Sequence, residues 1–258
     1  MNTSNVFPIR VLSEKSQVGS STLRAWERRY GLLKPLRTPK GHRLYSQKDI
    51  DTVKRIRALI AEGHSLLVIK DVISAEHTSA EHTSAEYFSA EQGNDKNPMH
   101  KMLENSGASS DLVAKTTTIW DHNITQILEA VHDFSIERID IVFNEASALY
   151  PLDLVIEKLI EPILETLGIL WKENVESCIA EEHFFSSWLD HKLASRFVHF
   201  YPQAKGDRII CACVPGTFHE VGLKLFSLSA LSSGYRVQYY GANLPFDQLH
   251  YIMKKTSA

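Results

Sequence analysis

The sequence predicts a multidomain α plus α/β protein, and three observations predict it. Apolar residues recur at helical spacing over most of the chain, and a polar low-complexity stretch divides them. From Arg208 onward, short β-branched runs alternate with helical ones. The 258 residues suffice for two to three modules. At 43% hydrophobic and 23% charged, the composition suits folded cores. No apolar run reaches the length a membrane helix needs, so no membrane partner is expected. Three cysteines, Cys178, Cys211 and Cys213, cannot form a disulfide framework and suit a reducing cytoplasm.

The N-terminal module is predicted over residues 8–73. Ser20 and Ser21 are expected to cap a helix from Thr22 to Arg29, which Gly31 ends. Leu32 to Tyr45 carries two prolines, a glycine and five basic side chains (His42 included), and reads as a loop or short hairpin. Ile50, Val53, Ile56, Leu59 and Ile60 predict a helix over Gln47–Ala61, broken by Gly63, with a shorter one over Ser65–Ile73. Residues 1–73 hold 14 Lys+Arg against 6 Asp+Glu, a net of +8, while the rest of the chain nets -11. That asymmetry points to a polyanionic partner for the first quarter alone, against the plainer reading of a solvated basic face.

Residues 74–118 read as a linker that opens on a pentad repeat (SAEHT, SAEHT, SAEYF). Its His77 and His82 stand five residues apart, about 140° around a helix, so they do not share a face for a metal.

Four amphipathic stretches over residues 119–200 predict a four-helix bundle. Their stripes are Ile124, Ile127, Leu128 and Val131; then Ile139, Val142, Phe143 and Ala146 behind a Ser135 cap; then one long stripe from Leu152 to Leu167; then Phe184 to Phe197. Residues 207–258 predict the start of a parallel α/β sheet. Strand-type Arg208–Val214 is followed by a helix over Glu220–Ser232, strand-type Arg236–Tyr240 and a last helix from Asp247. Two strands are fewer than an open sheet needs, so this domain is expected to be truncated. Cys211 and Cys213 point to one strand face and are expected to be buried packing.

Within the first module, a helix bearing Thr22, Arg24, Arg28 and Arg29 has the parts of a helix-turn-helix. Guanidinium groups read guanine edges, and loop cations grip phosphates. The run Thr22-Leu23-Arg24-Ala25-Trp26-Glu27-Arg28-Arg29-Tyr30-Gly31-Leu32-Leu33, followed by Gly41-His42-Arg43-Leu44-Tyr45-Ser46, resembles the winged helix-turn-helix of MerR-type regulators. The resemblance implies double-stranded DNA as partner, with a palindromic site and more than one copy bound. It implies Thr22, Arg24 and Arg28 on the recognition helix, and Arg43 and Tyr45 in the wing against the DNA backbone. Metal-sensing members carry a long dimerisation helix and a cysteine site after this domain, and this chain has a repeat and linker there.

His219 lies between a predicted strand and helix, at the carboxyl edge where α/β folds bind ligands. An imidazole there can ligate a metal. Pro215–Gly222 resembles the Asp-x-His-x-x-Gly signature of cobalamin-binding domains. Leu167–Trp171 with Glu181-Glu182-His183 resembles the Trp…Glu-His signature of the light-responsive CarH/LitR group, which joins a MerR-type domain, a helical cap and a cobalamin domain in this order. The resemblance implies His219 as lower ligand to the cobalt of cobalamin, adenosylcobalamin above all, and close packing allowed by Gly222. It implies Trp171, Glu182 and His183 around the upper group, each with a plainer alternative as core or exposed helix residue. It also implies a homo-oligomer that light takes apart.

Thr217 stands where the signature has an acid, Lys172 where relatives offer a second histidine, and ten residues separate Trp171 from Glu182. The rival readings are a cobalamin-independent DNA-binding module with a degenerate interaction domain, and a corrinoid carrier for methyl transfer, against which the basic N-terminal module argues. No Ser/His/Asp triad, phosphate loop or CxxC pair argues for an enzyme.

Overall fold

The computed structural model describes residues 6–86, 118–173 and 178–256. The rest of the expected linker, residues 87–117, lies outside the described residues. The chain divides into two compact units, Met1–His122 and Asn123–Ala258. The fold is mostly helical with two small sheets, of α plus α/β class. No helix among the described residues is long and apolar enough to cross a membrane.

In the first unit, strand β1 (Phe7–Pro8) leads into helix α1 (Ile9–Ser16), and α2 (Ser20–Ala25) follows a tight turn at Gln17. The expected serine caps are corrected here. Gly19 is the cap residue, and its carbonyl accepts the Leu23 N–H at 3.0 Å, so Ser20 and Ser21 already sit inside the helix. The helix then widens into a π-helical turn over Trp26–Tyr30, which Gly31 ends at φ 66°. This turn carries Trp26 with no exposed surface.

The basic loop is a hairpin. Strand β2 (Leu36–Arg37) pairs antiparallel with β3 (Arg43–Tyr45), and β1 covers the other edge of β3. The β1 pairing was absent from the sequence reading. At the tip, Thr38 N–H donates to His42 O, Gly41 N–H donates to Thr38 O, and Gly41 takes φ 81°. A three-residue hairpin loop needs a left-handed residue at that place.

Helix α3 spans Gln47–Ala61 as the periodicity predicts. Ser46 donates its N–H and hydroxyl to Asp49 Oδ2 at 2.7 and 2.8 Å, tying down the helix start. Helix α4 runs from Leu66 to Glu86, well past the Ile73 end expected for it. The reason is compositional. The repeat supplies Ala and Glu, both good helix formers, and neither glycine nor proline through Glu86. The expected linker therefore begins as helix and carries His77 and His82 within it. Thr118 and Trp120 belong to the first unit. Ile119 N–H donates to Gly63 O at 3.1 Å, and the buried Trp120 indole donates to Ile60 O at 2.8 Å.

The second unit is built on α5 (Ile119–His132), α6 (Ile136–Leu149), α7 (Leu152–Val155), α8 (Glu161–Lys172) and α9 (Cys178–Phe200). Ser135 caps α6, accepting the Arg138 N–H. The long third stripe is not one regular helix. A π-helical turn over Ile156–Ile160 joins α7 to α8, with Glu161 N–H reaching back to Ile156 O. Pro162 lies just beyond and has no N–H to give the preceding turn, so the bonding register must shift there. Ile127, Ile139, Phe143, Leu159, Ile163, Phe185 and Leu189 make the bundle core. Trp188 packs edge-on to Phe143 at 5.1 Å.

After α9, strands β4 (Arg208–Ala212) and β5 (Arg236–Gly241) pair in parallel through α10 (Val221–Ser232), and α11 (Phe246–Thr256) follows. Cys211, Leu231 and Val237 form a small core against Phe197 and Phe200 from the end of α9. Cys211 is buried as expected. Cys213 is only half-buried, because β4 ends at Ala212.

Candidate functional site

Two sites take shape, one in each unit. In the first, α2 and the π-helical turn expose Arg24, Arg28 and Arg29, while Leu23 and Trp26 fill the core beneath. The wing hairpin approaches the same turn through Glu27. Its carboxylate accepts Arg43 Nε at 2.7 Å and Arg37 Nη2 at 3.3 Å. The bond to Glu27 raises the Arg43 pKa further above its ordinary value, so this guanidinium stays charged.

Two expected contact residues turn inward and are corrected. Thr22 is 6% exposed, leaving little surface to meet a base. Tyr45 is fully buried, and its hydroxyl has no hydrogen-bond partner among the described residues. Burial, then the charge of Glu27, pushes its phenol pKa up. Tyr45 pairs with Phe7 across the sheet, so its ring serves the core. Sequence reasoning missed Glu27. The available signal was one acid set among Arg24, Arg28 and Arg29.

In the second unit, the segment after β4 is laced to the segment after β5. Gly216 N–H donates to Asn243 Oδ1 at 2.8 Å, Asn243 N–H to Thr217 O at 3.0 Å, and Leu244 N–H to Cys213 O at 3.0 Å. Thr217 enters this lacing through its main chain. The lacing holds His219 exposed at the carboxyl end of β4. Its imidazole lies against Trp171 at the end of α8, with ring centroids 6.2 Å apart and planes at 61°.

Gly222, three residues after His219, lines an open cleft of about 410 Å³. Ile156, Glu161, Leu164 and Glu165 line one wall; Gly222, Leu225, Phe226 and Ser229 line the other. A Cβ added to Gly222 or to Gly168 would meet nothing within 4 Å, so both glycines front open space. Below, Glu220 Oε2 accepts the Tyr239 hydroxyl at 2.6 Å, and Lys224 bridges Asp190 and Glu220. Burial, then that bond, raises the Tyr239 pKa well above the ordinary phenol value.

Trp171 and His219 are thus brought together, while Gly222 lies in the first turn of α10 and lines the cleft. Glu182 and His183 are engaged otherwise. Glu182 accepts the Ser186 hydroxyl at 2.7 Å, and His183 lies 3.8 Å from Glu182 with most of its side chain exposed. The neighbouring Glu181 is the buried acid, hydrogen-bonded to His132 Nδ1 at 2.9 Å. That pair was not foreseen, since it joins α9 to the end of α5.

His219 offers an accessible imidazole for metal ligation beside the Trp171 ring, and the cleft offers largely apolar walls where Gly222 adds no side chain.

Comparison with known proteins agrees with this division. Residues 7–76 match the MerR HTH family regulatory protein model, and residues 124–196 match a B12 binding domain model. The second match covers the helical bundle up to α9, so His219 and Gly222 lie beyond it. The chain is 28% identical over 243 residues to the HTH-type transcriptional repressor CarH of Myxococcus xanthus, spanning 94% of this chain and 73% of that one. It is 24% identical over 238 residues to the repressor CarA of the same organism, spanning 92% and 68%. It is 50% identical over 56 residues to the transcriptional regulator MlrA of Escherichia coli K12, spanning 22% and 23%. The chain therefore carries a MerR-type helix-turn-helix domain followed by a B12-binding domain, and it is a homologue of the CarH and CarA repressors.

Proposed function

We propose that this protein is a DNA-binding transcriptional regulator that senses cobalamin, in its adenosyl form, and responds to light through that cofactor. One observation carries the reading. A MerR-type domain precedes a B12-binding domain in one chain, and an exposed His219 meets Trp171 in the second unit. The proposed organisation is a DNA-binding domain over residues 8–73, a linker over 74–118, a cap over 119–200 and a cobalamin-binding α/β domain over 207–258. The proposed DNA contacts are Arg24, Arg28 and Arg43, with Thr22 and Tyr45 supporting the helix and wing from within.

In the second unit, His219 is the proposed cobalt ligand, and Trp171, Glu182 and His183 line the opposite side. Cobalamin supplies a light-cleavable cobalt–carbon bond; the protein's part is to hold it and couple its state to assembly. Trp171 and His219 touch each other, so a ligand bound between them must part them. That parting is the differential contact through which a cofactor can shift the protein between arrangements. The active form is a homo-oligomer on a palindromic operator, where several recognition helices gain affinity by effective concentration. The role is regulatory and not catalytic, exercised in the cytoplasm.

The test is a visible-absorption titration with adenosylcobalamin in the dark, followed by green illumination, on the wild-type chain and on His219→Ala. A bound spectrum with a histidine on cobalt, lost in the variant and altered by light, is expected. Binding unaffected by His219→Ala overturns its ligand role, and no binding at all overturns the cobalamin reading.

A further inference from the structure

We infer that Glu27 is a positioning residue for DNA binding, fixing the wing arginine Arg43 against the recognition helix. This deepens the DNA-binding reading and rests on it. Glu27 sits in the π-helical turn immediately before Arg28, and only 13% of its side chain is exposed. It accepts one hydrogen bond from each wing strand, from Arg37 on β2 and from Arg43 on β3. A carboxylate among arginines on a surface meant for phosphates is unfavourable by charge alone. Its retention there asks for a compensating role, and the geometry supplies one.

Arg43 engages Glu27 through Nε, the inner donor of the guanidinium. Its two terminal nitrogens remain to face a phosphate in a fixed orientation. Arg37 donates from a terminal nitrogen at a longer distance and is more exposed, 55% against 35% for Arg43. Arg43 is therefore the side chain that Glu27 orders most firmly. The π-helical turn contributes as well, because it carries the carboxylate of Glu27 and the buried ring of Trp26 on neighbouring positions. The ion pairs thus join a helix turn anchored in the core to both strands of the wing hairpin.

The two explanations of Glu27 differ in sign. If it is merely a surface acid, Glu27→Gln removes a negative charge and DNA binding tightens. If it positions Arg43, the same change weakens binding, by about tenfold for one loosened charge-assisted contact. The probe is a fluorescein-labelled duplex selected by the full-length wild-type chain from a random-sequence library, read by anisotropy over a salt series. Glu27→Gln is expected to weaken binding and to reduce the salt slope by about one phosphate contact. In an Arg43→Ala background the weakening by Glu27→Gln is expected to disappear.

Glu27→Asp keeps the charge but withdraws the carboxylate, and is expected to weaken binding in the same direction even if Glu27→Gln fails to fold. Equal or tighter binding by the folded Glu27 variants overturns the positioning role, as does an undiminished effect in the Arg43→Ala background. A wild-type chain that selects no duplex overturns the DNA-binding reading itself, and this inference with it.

Discussion

Tyr45, Asp140 and Gly63 show how much a single position can decide. The Tyr45 hydroxyl is buried without a partner among the described residues, which costs stability in proportion to the hydration it gives up. Tyr45→Phe is therefore expected to leave thermal stability unchanged or to raise it by about 1 kcal/mol, with DNA affinity retained. A clear loss of affinity would return Tyr45 to the DNA-contact role that its place in the wing motif implies. Asp140 is pulled two ways. Burial raises its pKa, but hydrogen bonds from Lys192 at 2.8 Å and the Trp188 indole at 2.7 Å outweigh this and hold it below the ordinary carboxylate value. A carboxyl lowered in the folded state contributes stability above its unfolded pKa and loses it as pH falls through the folded one. The melting temperature of the wild-type chain is expected to drop as pH falls below the ordinary carboxylate range, and Asp140→Asn to flatten that drop. Gly63 combines φ +92° with a Cβ position 2.5 Å from the Thr118 Cβ. Gly63→Ala should cost about 2 kcal/mol or more in urea unfolding, through both backbone strain and the clash. The sequence marks Gly63 as a helix breaker. Nothing in it tells that Thr118, at the far end of the linker, packs against that glycine.

At the scale of elements, most helices were legible and their irregularities were not. The stripe from Ile50 to Ile60 yields α3 with its observed ends, because a capping pair and a following glycine bound it. Of the two π-helical turns, only Ile156–Ile160 left a mark, in the proline that follows it, and Trp26–Tyr30 has ordinary helical periodicity. The reach of α4 into the repeat shows local propensity overriding a compositional reading of the same residues as linker. The start of α5 teaches the reverse. Its periodicity assigns it to the bundle, yet Trp120 is buried at the end of α3 and bonded to Ile60 O. Trp120→Ala removes that indole and its hydrogen bond at once, at a cost of about 3 kcal/mol. Amide exchange at the C-terminal end of α3 should then quicken by about two orders of magnitude, while the β4–β5 amides keep their rates. Unchanged exchange in α3 would show that the indole adds nothing to that unit.

For the molecule as a whole, the order of modules was legible because each has its own periodicity and charge. The site in the second unit was legible only as separate motifs. His219 and Trp171 lie far apart in the chain, and no spacing rule brings them into contact; the lacing of the two post-strand segments and the packing of α10 on α9 do so. Glu182 and His183 illustrate the converse, a motif present in sequence whose side chains engage Ser186 and each other. The contact of Trp171 with His219 also has an optical side. The chain has four tryptophans. Trp26, Trp120 and Trp188 are at most 6% exposed, whereas Trp171 is 39% exposed. Iodide should therefore quench the red edge of the emission first, and Trp171→Phe should abolish that accessible fraction while leaving the blue-shifted remainder. The protein then reports on its own cleft without a label: whatever enters beside His219 changes the colour and brightness of one indole, and the other three serve as the internal standard.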